Sequence, residues 1–153
     1  MARVDAPESP RPVPGADGLV TNRPGLCLAI YVADCAAVYL ADREVQAIGL
    51  VHAGKKGAEL GIVTEAIATM RKAFGTDPAN LVVQVAPCIR PPNYEVDFAA
   101  EIVRQAREAG VRDISTAAPA PPPTRRNTTP TAAKEAAPDV SLLWPQSLRS
   151  IQN

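Results

Sequence analysis

The sequence carries a single histidine, His52, in 153 residues. Any imidazole chemistry, whether as a base or as a metal ligand, must therefore pass through that one position. Net charge is also missing, because sixteen Lys and Arg offset sixteen Asp and Glu. That balance excludes nucleic acid and anionic membrane as main partners, since both require a basic surface. No apolar run approaches the roughly 20 residues needed to cross a bilayer. The first residues, Met1-Ala2-Arg3-Val4-Asp5-Ala6-Pro7, contain no apolar signal core. The three cysteines, Cys27, Cys35 and Cys88, are an odd number without a metal-type close pair. They read as reduced thiols of a cytoplasmic protein rather than as a disulfide frame.

Prolines and a glycine crowd residues 6–15, which predicts an extended segment outside regular structure over residues 1–15. An α/β core is expected over 16–111. Leu26-Cys27-Leu28-Ala29-Ile30-Tyr31-Val32 is an apolar, β-branched and aromatic run of the kind that forms a buried strand. Ala36–Leu40 and Val45–Val51 predict two more strands, with a hairpin turn at Asp42-Arg43-Glu44. Leu60, Val63, Ile67, Met70 and Phe74 recur at three and four residues, predicting one helix over Gly57–Phe74 that Gly75 stops. Leu81–Val85 reads as a strand. Asp97–Ala109 reads as a helix closed by Gly110, with Phe98, Ile102, Val103 and Ala106 facing inward. Strands that come first and then alternate with helices favour a mixed β-sheet sandwich flanked by helices. Beyond Val111 seven prolines sit among Ala, Thr and Arg, and no apolar period survives. Residues 112–153 are expected to be a disordered tail, since they bury too little to offset their ordering entropy.

Two side chains stand out chemically. His52 ends the predicted strand Val45–Val51 and precedes Ala53-Gly54-Lys55-Lys56-Gly57, a turn that lets backbone approach a ligand. A helix starting near Gly57 would offer free N–H groups to an anion such as phosphate. Cys35 follows the predicted strand Leu26–Ala33. If the two strands share a sheet, Cys35 and His52 meet at one edge. Three readings fit that meeting: zinc ligation, a nucleophile and base dyad, or a packed thiol beside a hydrogen-bonded histidine. Lys56 could contact phosphate, although paired turn lysines are normally solvated charge. Cys88, in Pro87-Cys88-Ile89, reads as a buried and inert thiol. Tyr94 and Asp97 suit packing and capping at the second helix.

Four strings in register resemble one family. They are Ala16-Asp17-Gly18-Leu19-Val20-Thr21, Ala33-Asp34-Cys35, Val51-His52-Ala53-Gly54 with Lys56-Gly57, and Pro87-Cys88-Ile89 followed by Tyr94-Glu95-Val96. Together they are similar to the laccase-domain, or multicopper polyphenol oxidase, family, now assigned as purine nucleoside phosphorylase. The match runs over about residues 13–110. The resemblance implies an α/β sandwich with one zinc held by an upstream histidine, by the cysteine matching Cys35 and by the histidine matching His52. It implies phosphorolysis of adenosine, inosine and guanosine to base and ribose 1-phosphate, with some adenosine deamination. An older assignment is copper-dependent phenol oxidation, which one histidine serves poorly. A bacterial branch is described as a peptidoglycan editing factor.

The departures are as informative. The resemblance implies that the segment bearing the first histidine is absent, which leaves Cys35 and His52 as two of three ligands. An incomplete fold and an impaired enzyme, or a non-enzymatic remnant, are therefore expected. An exposed sheet edge would favour self-association. The aromatic residue usual in the loop after His52 is replaced by lysine. The family's C-terminal Ser-Tyr-Arg-Arg and Thr-Gly-Arg pattern is missing, yet the codons possible for residues 127–140 permit it in a shifted frame. A frameshift between about Arg112 and Asn127 is the resulting expectation. If zinc joins the pair, the Cys35 sulfur and a His52 ring nitrogen should stand roughly 3–4 Å apart, given bonds of ~2.3 and ~2.1 Å about a tetrahedral ion.

Overall fold

The computed structural model describes residues 1–6 and 12–118. Its frame is a six-stranded mixed sheet of β1 (Ala2–Arg3), β2 (Gly18–Thr21), β3 (Ala36–Asp42), β4 (Ala47–Ala53), β5 (Leu81–Val85) and β6 (Asp113–Thr116), in the order β1-β2-β4-β3-β5-β6. The α/β class and the mixed sheet are as expected. The centre is antiparallel: β4 pairs with β2 and β3, and β3 with β5, while β1 and β6 join parallel at the two edges. The β3–β4 hairpin has a local cause. Asp42 Oδ1 accepts the N–H groups of Glu44 (2.9 Å) and Val45 (3.4 Å), and Gln46 takes a left-handed φ of 51°. An Asp side chain that closes on its own backbone makes a turn without a glycine.

Three α-helices lie against one face: α1 (Lys55–Glu59), α2 (Ile62–Phe74) and α3 (Phe98–Glu108). Alternation along the strands sends Val20, Val38, Leu40, Val51, Val83 and Val85 into one core with Val63, Ile67, Met70, Phe98 and Ile102. Each fully buried aliphatic side chain of this kind contributes about 1.5–3 kcal/mol. Asp97 caps α3 by accepting the N–H of Ala100 at 3.0 Å, and Gly75 ends α2 at φ 76°.

Four expectations change. Leu26–Val32 is not a strand. Tyr31 is 95 % exposed, and β4, the strand it would need beside it, is already flanked by β2 and β3. An apolar run becomes a strand only where a neighbour takes its backbone groups. The helix expected over Gly57–Phe74 is two helices. Gly61, at φ 74°, breaks the phase, so Leu60 leaves the apolar stripe and is 75 % exposed. Within the segment expected to lie outside the fold, Ala2–Arg3 pair with Leu19–Val20, and Val4 is buried. The sheet also runs past residue 111, where Val82–Val85 take Asp113–Thr116 as a parallel neighbour. Four residues with one apolar side chain show no readable period, which is why that strand escaped the pattern. Residues 119–153, and with them the rest of the expected tail and most of its frameshift, lie outside the described residues.

Candidate functional site

Cys35 does not end a strand but stands immediately before β3. His52 is the penultimate residue of β4, cross-strand from Ala37. Strand side chains alternate, so Cys35, two residues before Ala37, lies on the same side of the sheet as His52. That side is opposite the helices. The backbone around the pair is tied down. The His52 N–H donates to Asp17 O (2.8 Å), and the Ala58 N–H to Gly54 O (2.8 Å), while the Ile89 N–H donates to Asp34 O (3.0 Å). The last bond extends the β3–β5 pairing and brings Cys88, buried at 1 % exposure, alongside Cys35.

The meeting point of the two side chains is Gly54. A Cβ placed on this glycine would lie 3.0 Å from Cys35 Sγ and 3.9 Å from His52 Nε2. Sulfur and nitrogen therefore flank one small space, and their separation cannot exceed the sum of those two lengths. A soft sulfur and an imidazole nitrogen are a donor pair that suits zinc. An ion shared by the two would have to lie off the Gly54 backbone, nearer both donors than that Cβ position is. Among the described residues no group of three or more His, Cys, Asp or Glu is placed to hold a metal, so the pair stands without a third such neighbour. Burial, then the Asp34 carboxylate and Cys88, push the Cys35 thiol up from its ordinary value. Without a cation beside it Cys35 is a protonated thiol at neutral pH, which disfavours the nucleophile and base dyad.

The remaining candidates are spread around this turn. Gly54 caps α1, whose first residue is Lys55, so Gly57 sits inside the helix rather than before it. Lys56 is exposed and forms no ion pair among the described residues. Lys55, expected to be free, pairs instead with Glu95 and ties the turn to the loop before α3. Composition gave no signal for that pair, because its partners are forty residues apart. Tyr94 packs on Phe98 with ring centroids 5.3 Å apart. A cleft of about 620 Å³ opens beside α1 and α3, but its lining is Glu59, Glu95, Asp97, Glu101 and Arg104 among others, without Cys35 or His52. Four carboxylates make it a poor receptor for phosphate.

A family model described as multi-copper polyphenol oxidoreductase laccase matches residues 1–133. The chain belongs to that family. Within the family it is similar to a purine nucleoside phosphorylase of Streptomyces coelicolor, 42 % identical over 96 residues, which are 63 % of this chain and 39 % of that protein. A purine nucleoside phosphorylase of Mycobacterium bovis is 36 % identical over 117 residues, 75 % of this chain and 46 % of that one. Among solved structures, Bacillus licheniformis hypothetical protein YfiH superposes with a TM-score of 0.62 at 24 % identity, over 67 % of this chain and 51 % of that chain. YlmD from Geobacillus stearothermophilus gives 0.62 at 25 %, over 70 % and 52 %. The fold is thus shared with these two structures, and this chain spans less than half the length of the two phosphorylases. Among the described residues no helix is long and apolar enough to cross a membrane.

Proposed function

We propose that Cys35 and His52 are two ligands of a zinc site serving purine nucleoside phosphorolysis. The observation that carries this reading is the approach of Cys35 Sγ and His52 Nε2 to within 4 Å of one point at Gly54. The names of the relatives supply the substrate class, a purine nucleoside and phosphate. In phosphorolysis of adenosine, inosine or guanosine a phosphate oxygen bonds to the ribose anomeric carbon. The bond to the purine nitrogen breaks, and the departing base takes a proton. Zinc bound at the pair would supply a Lewis acid for a substrate oxygen. The Gly54–Gly57 backbone and Lys56, which follow His52 directly in the chain, would be the candidates for contact with the phosphate.

Two ligands make a weak site, because a catalytic zinc ordinarily keeps three protein ligands and one open position. The chain alone is therefore a poor catalyst, and further ligands must come from outside the described residues or from another polypeptide. Free Cys27, Cys35 and Cys88 fit a reducing, cytoplasmic setting. Copper-dependent phenol oxidation is the weaker reading, since a single imidazole is too few for it. The test is metal analysis of the purified chain together with base release from inosine in phosphate buffer. Zinc bound by the parent and lost in both Cys35→Ser and His52→Ala is the expected result. Zinc retained by both variants would end the proposal, and turnover of the isolated chain at the ordinary ~1–10³ s⁻¹ would end the claim of impairment.

A further inference from the structure

Gly54 has backbone angles of φ −88° and ψ −174°, an extended conformation open to any residue. Backbone freedom is therefore not the reason for a glycine here. The surroundings supply one. The three nearest atoms that an added Cβ would meet beyond its chain neighbours belong to Cys35 and His52: Sγ at 3.0 Å, the Cys35 Cβ at 3.9 Å and Nε2 at 3.9 Å. The neighbouring Gly57 makes a contrast. A Cβ there would find Ile62 Cγ2 at 3.5 Å and the His52 carbonyl at 3.6 Å, which is ordinary packing. We infer that Gly54 is a positioning residue, whose missing side chain keeps an aperture open between Cys35 Sγ and His52 Nε2. The inference rests on the reading of those two residues as metal ligands.

The aperture has a fixed wall and a movable one. Gly54 cannot retreat, because its carbonyl accepts the Ala58 N–H in the first turn of α1 and its preceding strand is paired on both sides. Cys35 is only half-buried, and rotation about one bond carries its sulfur away. A methyl group at residue 54 is thus accommodated by turning Sγ out of the shared space. The fold survives and the donor pair is lost.

The experiment compares the parent with Gly54→Ala, both in a Cys27→Ser background that removes the exposed thiol. Cobalt(II) serves as the probe, read by its thiolate charge-transfer absorption, and circular dichroism reports the fold. The expected result is an unchanged spectrum and melting curve with cobalt affinity weakened by ~10–100-fold, the range for residues that orient metal ligands. Equal affinity in the two proteins overturns the inference. If Gly54→Ala does not fold, the same change is made with Cys35→Ala. Recovery of the fold then supports the collision with sulfur, and continued unfolding overturns it. If the parent binds no cobalt, the metal reading falls by itself. Gly54 is then judged by the rate of alkylation of Cys35, which displacement of its sulfur should change by roughly tenfold, because thiol reactivity follows access. An unchanged rate overturns the aperture.

Discussion

The two faces of the sheet have been put to different uses. On one, Val38, Leu40, Val51, Val83 and Val85 are at most 1 % exposed beneath α2 and α3. On the other, Tyr39 is 40 % exposed, and Ile48, Val82 and His52 are half-buried. The same strands supply both rows, because alternate residues point to opposite sides. The first face holds the fold together and carries no chemistry. The second is more open, though Leu50 (6 %) and Ala37 (4 %) are buried on it, and it carries the cysteine and histidine of the candidate site. A sheet can give one face to a site only when its other face already secures the fold.

The sharpest way to break this contrast is at Leu40. It is buried at 1 % in the middle of β3, facing the helices. Leu40→Ala should destabilise the chain by about 2–5 kcal/mol, from lost transfer energy and the cavity left behind. Urea unfolding followed by circular dichroism measures it. A cost below ~1 kcal/mol would mean that the helix face is not the core.

A smaller effect is expected at the α3 cap. Asp97→Ala removes the acceptor for the Ala100 N–H, and N-cap losses of this kind cost about 1 kcal/mol. The change should leave zinc binding at Cys35 and His52 untouched, since it acts on the helix layer alone. A loss of metal with this variant would show that the two faces are coupled.

On the same helix, Arg104 donates to Glu101 and to Glu108. Its guanidinium, aided by the Gln105 amide, lowers the Glu101 carboxyl from its ordinary 4.5 to about 2. A depressed folded-state pKa stabilises above the unfolded value and loses that contribution as the carboxylate protonates. The contribution should thus be complete above pH 4.5 and disappear as pH falls toward 2. Because Arg104 is more than half exposed, solvent screens the effect and it should be less than that of the cap. Comparing acid melts of the parent and Glu101→Gln measures it. Identical acid midpoints for the two would remove Glu101 from the account.

Much of the helix face was legible in the sequence, and less of the other. Val63, Ile67, Met70 and Phe74 fall at helical spacing, so periodicity exposed α2, while Leu81–Val85 was readable as a strand and only its burial in the sheet alternates. The Asp97 cap and the Gly75 stop are local signals, and both hold. Leu26–Val32 failed because its composition is that of a strand while its place in the sheet is taken by others. Asp113–Thr116 failed in the opposite sense: its composition is that of a loop, and pairing with β5 makes it a strand. For the site, Cys35 and His52 were readable as chemistry-bearing types near strand ends. That they converge on Gly54 depends on the β3–β4 register, which no local pattern states. The burial of Cys88 was legible, but its place beside Cys35 and the Lys55–Glu95 pair are long-range in the same way.

The smallest effect should come from Tyr39, and it sharpens the comparison most. Tyr39 lies in β3 next to Leu40 but points to the other face, between Leu50 and Gln84 on the flanking strands. Its ring is 40 % exposed, and among the described residues neither ring stacking nor a side-chain hydrogen bond holds it. Exposed strand residues contribute mainly through cross-strand contact, worth roughly 0.2–1 kcal/mol. Tyr39→Thr puts another strand former there and should lower the unfolding free energy in urea by well under ~1 kcal/mol, against several for Leu40→Ala one residue away. The pair of variants holds strand, register and sequence position nearly constant and changes only the face. A large loss at Tyr39 that grows with protein concentration would mean that a second copy covers this face in solution. A large loss independent of concentration would mean that the chain itself covers it. In either case the candidate site would lie inside a layer rather than on an open surface, and the division between a packing face and a chemical face would be wrong.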